Sequence, residues 1–408
     1  MSGTASEALG IYISIPFCRS KCTYCNFASG VYPASEHARY VDRVVADLRG
    51  AAGWADRMGV QLPRRVDSVY LGGGTPSLLA PELIAKLFGC LRAEFSLDAD
   101  AEITVECAPA QLADDTLAAM VAAGVNRVSL GAQSFIDSEA SATGRLHKRV
   151  DIESDIERLR AAGIANLNAD LIAGLPGQTM ESWGASLDAL VATGVPHASL
   201  YMLEVDEDSR LGRELLGGGT RYRAALVPAD EAIADMYERG IEALGAAGIE
   251  QYEISNFCHA EFGSSHNLRY WERRPYLGVG VDASSMLREL PSRAEGQPAV
   301  LRSAVGDSLA DYLKGESSAE TAWLSAHQQH EEAWFLGLRL NRGVEVAALE
   351  REFGRAMVAP ALRTARRLVA DGLLECDGSA LRLTSRGRLL SNEVFAEFLE
   401  PAGREVGA

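Results

Sequence analysis

The first half of the chain alternates short apolar runs with longer amphipathic stretches. The apolar runs fall at 11–15, 66–71, 102–106, 125–130, 165–172 and 198–203. Most are rich in β-branched residues and stop at Gly, Pro or a polar cluster, the signature of strands. The stretches between them, 36–48, 81–95, 114–123, 151–162 and 180–192, carry apolar residues at helical spacing. Pro33 stands before the first of these, and Gly124 and Gly163 follow two others, as helix boundaries require. Six successive β-α units predict a parallel sheet with crossover helices. Periodicity alone leaves open whether it is flat or a partial barrel.

Beyond this region the pattern changes. Residues 206–227 are rich in Gly and charge and read as a loop-dominated insertion. A long amphipathic helix is expected at 229–247 and a last strand at 250–254. Residues 288–312 mix Pro, Gly, Ser and charge, as a linker does. Helices are expected again at 331–340, 346–353 and 357–371. Gly372-Leu373-Leu374 then opens a strand, Asp377-Gly378 turns a hairpin, and Leu381-Arg382-Leu383 returns. Three helices and a hairpin are the order of a winged helix. The predicted organisation is a core at 1–250, a connecting segment at 251–325 and a winged-helix-like α+β unit at 326–400.

Composition narrows the class. The chain has 408 residues, is 47% hydrophobic and carries a formal net charge of −17. An acidic surface argues against broad nucleic-acid binding, which depends on basic patches that displace phosphate counterions. The winged-helix-like unit therefore reads as a packing unit in preference to a DNA reader. No run of about 18 uncharged apolar residues occurs, and the first ten residues carry no secretory pattern. The expectation is a cytoplasmic protein without a membrane span.

Seven cysteines are present, at 18, 22, 25, 90, 107, 258 and 376. An odd number in a cytosolic chain does not form a disulfide framework. The last four are scattered and read as ordinary thiols. The first three form Cys18-Arg19-Ser20-Lys21-Cys22-Thr23-Tyr24-Cys25, directly after the first strand. Short loops of this kind wrap iron–sulfur clusters. Three thiolates leave one corner of a 4Fe-4S cubane free, and an open metal position can take a ligand. A zinc site would want a fourth Cys or His nearby; the nearest is His37.

A second signal lies after the second strand, at Gly72-Gly73-Gly74-Thr75-Pro76, where glycines admit a ligand close to the backbone. Gly217-Gly218-Gly219-Thr220 has nearly the same letters but follows no strand, and reads as a plain loop. Glu106, Gln133 and Asp170 stand at the ends of predicted strands, where parallel β/α architectures build their sites.

The cysteine spacing, ending in Cys25-Asn26-Phe27, resembles the radical SAM superfamily. That resemblance implies a partial (β/α)6 barrel and a 4Fe-4S cluster on Cys18, Cys22 and Cys25. The open iron would bind S-adenosylmethionine (SAM), which an electron from the cluster cleaves to a 5′-deoxyadenosyl radical. Further stretches are similar to the oxygen-independent coproporphyrinogen III oxidase group. They are Tyr12-Ile13-Ser14-Ile15-Pro16-Phe17-Cys18, Arg127-Val128-Ser129-Leu130-Gly131-Ala132-Gln133, Gly144-Arg145-Leu146-His147 and Asp170-Leu171-Ile172-Ala173-Gly174-Leu175-Pro176. By position the resemblance implies SAM contacts at Tyr12, Tyr24, Gly73, Gly74, Thr75, Glu106, Gln133, Arg145 and Asp170.

That group has two branches. The oxidase decarboxylates coproporphyrinogen III and carries a further cysteine two residues after the third; here that place is Phe27. The haem-chaperone branch has CxxxCxxCxF and a His-Asn-x-x-Tyr-Trp motif, which matches His266-Asn267-Leu268-Arg269-Tyr270-Trp271. From spacing alone His266 caps a loop and Trp271 is core. The resemblance instead makes His266 a haem ligand. It implies haem as bound cargo, delivery to haem-accepting respiratory proteins, and room for a homodimer and peripheral membrane contact. Two positions depart from the branch. Ser14 stands where it often has His, and Asp282-Ala283-Ser284-Ser285 where it often has Gly-Ala-His-Ser.

Overall fold

All six apolar runs are strands, and they pair in sequence order. β1 (Leu9–Ile15), β2 (Arg65–Gly73), β3 (Ser96–Cys107), β4 (Arg127–Gln133), β5 (Asn166–Ala173) and β6 (His197–Met202) lie parallel, each beside the next. The computed structural model describes residues 7–290, 299–317 and 319–399. β1 is buried at every position but Tyr12, the near-continuous apolar run of a strand covered on both faces.

The crossover helices supply one of those covers. Helix Ala34–Met58 buries Tyr40, Val41, Val44, Val45, Leu48, Ala51 and Ala55 along one stripe. It outruns the expected 36–48 because that stripe continues past Gly50 and Gly53, and it stops at Gly59 in a left-handed cap with φ 70°. Helix Met180–Thr193 starts at Thr179, whose hydroxyl accepts from the Ser182 amide in a capping box. Its Trp183 is fully buried and donates its indole N–H to the Met236 carbonyl at 2.6 Å, tying this helix to Asp230–Ala246.

The sheet continues on both sides of these strands. β7 (Glu250–Gln251) and β8 (Asn256–Cys258) form an antiparallel hairpin, with β8 beside β6. On the other side β9 (Tyr276–Val279) runs parallel to β1, and β10 (Ser284–Arg288), β11 (Val300–Val305) and β12 (Ala319–Leu324) follow antiparallel. Among the described residues this is one twelve-stranded sheet, in the order β12-β11-β10-β9-β1-β2-β3-β4-β5-β6-β8-β7. It is open at both edges, with β1–β6 as a partial barrel at its centre.

Three expectations are corrected. The strand expected at 250–254 is neither the last nor a single strand. Of the expected linker 288–312, residues 291–298 lie outside the described residues; the rest holds β11 and helix Leu309–Lys314. β11 interleaves Arg302 and Ser303 with apolar residues because one face is only half covered, so its composition looks like a loop. The insertion at 206–227 holds helix Arg210–Leu216, capped by Ser209, and a 3-10 segment at Arg221–Leu226.

The C-terminal unit has its own apolar core around Trp334, Phe353, Leu368 and Phe398. Helix Ala326–Leu338, β13 (Val344–Glu345), helices Val346–Phe353 and Arg355–Ala370, β14 (Leu374–Asp377) and β15 (Ala380–Leu383) follow in the winged-helix order. The small sheet is ordered β13-β15-β14. Two short helices, Ser385–Leu389 and Ser391–Ala396, close the unit.

Trp183→Ala is expected to destabilise the barrel by about 3–5 kcal/mol through the cavity and the lost indole bond. Denaturant unfolding of wild type and variant measures the difference.

Candidate functional site

The loop after β1 carries the three cysteines, and neighbouring backbone holds it. The Cys18 amide donates to the Gly30 carbonyl at 2.8 Å, closing the loop on itself. The Thr23 amide donates to Thr143 O at 3.0 Å, and Ser20 Oγ to Gly144 O at 3.1 Å. The insertion contributes too: the Leu211 amide donates to Thr23 O at 2.7 Å, and Asn26 Nδ2 to Asp206 at 2.5 Å.

The glycine turn at the end of β2 grips the same loop. The Gly74 amide donates to Ile15 O at 2.9 Å and the Thr75 amide to Phe17 O at 2.7 Å. A Cβ on Gly74 would stand 2.7 Å from Ile15 O and 2.8 Å from Phe17 O. Gly73 sits at φ 97°, a conformation that other residues rarely adopt.

These elements frame a cavity of about 1060 Å³ at the carboxyl ends of β2–β6. Cys18, Cys22, Cys25, Tyr24, Gly73, Gly74, Thr75, Glu106, Gln133, Arg145 and Asp170 all line it. Glu106 accepts from Tyr70 Oη at 2.8 Å and from the Gly73 amide at 3.1 Å. Burial pushes its carboxyl from 4.5 up to about 7, against the pull of those two bonds. Burial also raises Asp170, which accepts from Asn168 Nδ2 at 2.7 Å. Gln133 lies beyond an irregularity in the β4–β5 register, with φ 65°; such bulges re-aim side chains at sites. Arg145 reaches across Gly131, where a Cβ would stand 2.7 Å from its Nη2. Its Nη1 donates to Cys22 Sγ at 3.5 Å.

Two expected residues are placed elsewhere. Tyr12 does not line the cavity. It stands below Gly73 and stacks on Tyr70 with ring centroids 6.1 Å apart. His266, expected as a haem ligand, lies at the other end of the barrel. Helix Ser265–Trp271 closes that end. The amides of Ser265 and His266 donate to Glu102, and Arg269 reaches Ala8 O, Ser68 and Asp67 near the starts of β1 and β2. His266 is 1% exposed, and both ring nitrogens are engaged, Nδ1 with Ser68 Oγ at 3.0 Å and Nε2 with Tyr270 Oη at 2.9 Å. Tyr12 and Tyr70 stand between it and the cavity. Glu102 holds the N-terminus of this helix, where a carboxylate is favoured, and Ser264 caps it.

Sequence reasoning missed one wall. Tyr201 and Met202 at the end of β6, Ile233 and Tyr237 of the following helix, and Arg339, Arg386, Leu389 and Leu390 of the C-terminal unit also line the cavity. The end-of-strand rule could have found Tyr201. No local signal marks the C-terminal residues.

The Radical SAM superfamily model matches residues 12–190, and the HemN C-terminal domain model matches 324–390. "Heme chaperone HemW" of Lactococcus lactis is 31% identical over 95% of this chain and 96% of its own length. The protein of the same name from Bacillus subtilis is 32% identical over 95% of this chain and 98% of its own. The chain belongs to the HemW family of radical SAM proteins. Among solved structures, coproporphyrinogen III oxidase (HemN) from Escherichia coli superposes with a TM-score of 0.79 and 22% identity over 96% of this chain and 90% of that one. That likeness shows the fold.

Membership in the radical SAM superfamily implies a 4Fe-4S cluster and SAM, and the cysteine loop suits a cluster. No three His, Cys, Asp or Glu side chains among the described residues converge as for a single metal ion. A cubane does not ask for that, because each thiolate binds a different corner. Burial raises the Cys18 and Cys25 thiols above their ordinary range, a cost that iron removes by holding them as thiolates. Arg145 Nε is buried without a partner among the described residues, an unused donor in the cavity wall. Neither family departure touches the cavity: Ser14 is buried beside Gly73, and exposed Ser284 opens β10. No described helix is long and apolar enough to cross a membrane.

Gly74→Ala is expected to cost about 1–3 kcal/mol, because its Cβ meets backbone oxygens that cannot turn aside; thermal melts measure it. Glu106 gives a pH signature. The unfolded chain loses its proton near 4.5 and the folded chain near 7, so stability falls as pH rises through that window and levels off above it. Unfolding at pH 5 and pH 8 should show a smaller fall for Glu106→Gln than for wild type.

Proposed function

We propose that this chain holds a 4Fe-4S cluster on Cys18, Cys22 and Cys25, binds SAM at the carboxyl end of the barrel, and carries haem to acceptor haemoproteins. The observation that carries the reading is the full-length likeness to proteins named heme chaperones, in a chain with Phe27 where the oxidase has a further cysteine. Phe27 lines the cavity beside the cluster loop.

The residues present suit SAM. The Glu106 carboxylate and the Gly73–Thr75 backbone offer acceptors for its amino group, and Arg145 offers a donor for its carboxylate. Gln133 and Asp170 supply polar groups further along the same wall, with Tyr24 beside Arg145. Tyr12 supports Gly73 from below. When bound, the cluster and SAM supply one-electron chemistry; the chain's part is to orient them and keep water out. Haem is the cargo, and respiratory haemoproteins are the proposed acceptors. A homodimer and contact with a membrane surface during transfer belong to the same reading, as does a cytoplasmic location. The second reading, oxidative decarboxylation of coproporphyrinogen III, is favoured by the fold shared with the oxidase and set back by Phe27.

Anaerobically reconstituted protein, titrated with haem with and without SAM, should shift the Soret band. Cys18→Ala should lose cluster iron while its melt stays near that of wild type. No Soret change from protein with a full cluster would sink the chaperone reading. Conversion of coproporphyrinogen III to protoporphyrinogen IX under reducing conditions with SAM would establish the second.

A further inference from the structure

The cavity has two unlike halves. Polar groups of β2–β5 and the cysteine loop line one. The other is walled by Leu200 and Met202 of β6, Ile233 of the next helix, Ile254, and Leu389 and Leu390 of the C-terminal unit. Arg339 and Arg386 stand in the same wall, and the carboxylates of Asp230, Glu231 and Glu393 line it as well. We propose that haem is seated in this second half, against the C-terminal unit, with its propionates toward Arg339 and Arg386, and not on His266. The proposal rests on the haem-carrying reading and deepens it by assigning the seat.

Three observations carry it. The first is size and layout: at about 1060 Å³ the cavity stands at the upper end of the roughly 300–1,000 Å³ of small-molecule pockets, and its apolar half is lined by residues other than those assigned to SAM. The second is chemistry. A haem is a broad apolar ring with two carboxylates at one edge, and this half offers apolar walls and two guanidinium groups, which the propionates must reach past Asp230, Glu231 and Glu393. Neither arginine is fully used. Arg339 pairs with Glu253 at 3.6 Å and lies over the Trp271 ring at 4.1 Å, while its Nε is buried without a hydrogen-bond partner among the described residues. Arg386 is exposed and makes a long bond to Asp371 O, at 3.4 Å. Guanidinium groups match carboxylates with paired bonds. Leu390 and Phe27, 36% and 60% exposed, leave apolar surface at the rim for a ring to cover.

The third observation removes the competing seat. His266 already uses both nitrogens, is 1% exposed, and lies at the far end of the barrel behind Tyr12 and Tyr70. Binding iron there would break a hydrogen bond of the buried imidazole to Ser68 or Tyr270.

The test compares reconstituted full-length wild type with Arg386→Glu, Leu390→Asp and His266→Gln. Arg386 and Leu390 are exposed, so their variants should melt as wild type does. Haem affinity is read from the Soret titration, SAM affinity by equilibrium dialysis, and cluster content by iron analysis. Arg386→Glu and Leu390→Asp are expected to weaken haem binding by about tenfold or more, since each puts a charge against the ligand, with SAM affinity and iron content unchanged. His266→Gln should keep the wild-type Soret position. Rim variants that bind haem as wild type does would overturn the proposal, as would equal losses of haem and SAM. Loss of haem by His266→Gln with an unchanged melt would also overturn it. If wild type itself shows no Soret change, the haem-carrying reading fails first and the seat with it.

Discussion

The architecture depends on one backbone contact, the crossing of the glycine turn at Gly74 and Thr75 under the start of the cysteine loop. Two amides of the turn donate to Ile15 and Phe17 carbonyls, and no side chain fits between the strands there. The contact fixes where the loop leaves β1 and where Gly73 points its amide toward Glu106. The sulfurs and the acidic wall therefore keep a set spacing, although they come from sequence positions about 80 residues apart. A cluster-binding loop without such a brace would pay more ordering entropy on loading.

Parallel strands give the barrel two different ends. At the carboxyl end, loops diverge and leave room for the cavity, as open α/β architectures do generally. At the amino end the helix Ser265–Trp271 fills the space with a buried polar set: His266 with Ser68 and Tyr270, and Arg269 with Asp67 and two carbonyls. Buried polar groups are tolerable when their partners are present. Here nearly every donor of that set has one, which makes the plug stable and ties its imidazole to a structural duty. Tyr12 and Tyr70 form the partition between the two ends, and Tyr70 touches both, stacking near His266 and donating to Glu106.

The C-terminal unit touches both ends as well. Arg339 lies over the Trp271 ring at 4.1 Å while lining the cavity. Arg273 pairs with Glu352 at 2.7 Å, and Arg342 with Glu272 at 2.6 Å. The unit is thus pinned to the plug helix on one side and forms a cavity wall on the other. A winged-helix order serves here as packing against a barrel, which shows how little a fold says about its use.

Much of this was legible in the residues. Six apolar runs became six parallel strands, since strands covered on both faces write themselves as continuous apolar sequence. The cysteine spacing, the glycine turn and the polar ends of β3–β5 all converge on one cavity, because strand direction brings every strand end to the same face. Strands β9–β12 were less legible: β9 is four residues long and pairs with β1, far along the chain, and β12 is exposed along nearly all its length. The place of His266 was not legible either: a motif names the residue but not which end of the barrel its helix enters. The sequence by itself determined the six parallel strands, the cysteine loop and the polar wall, each a matter of local pattern and strand direction. Only the tertiary structure decided that His266 plugs the barrel and that Arg386 and Leu390 wall the cavity, because both depend on bringing together segments far apart along the chain, which no local pattern encodes.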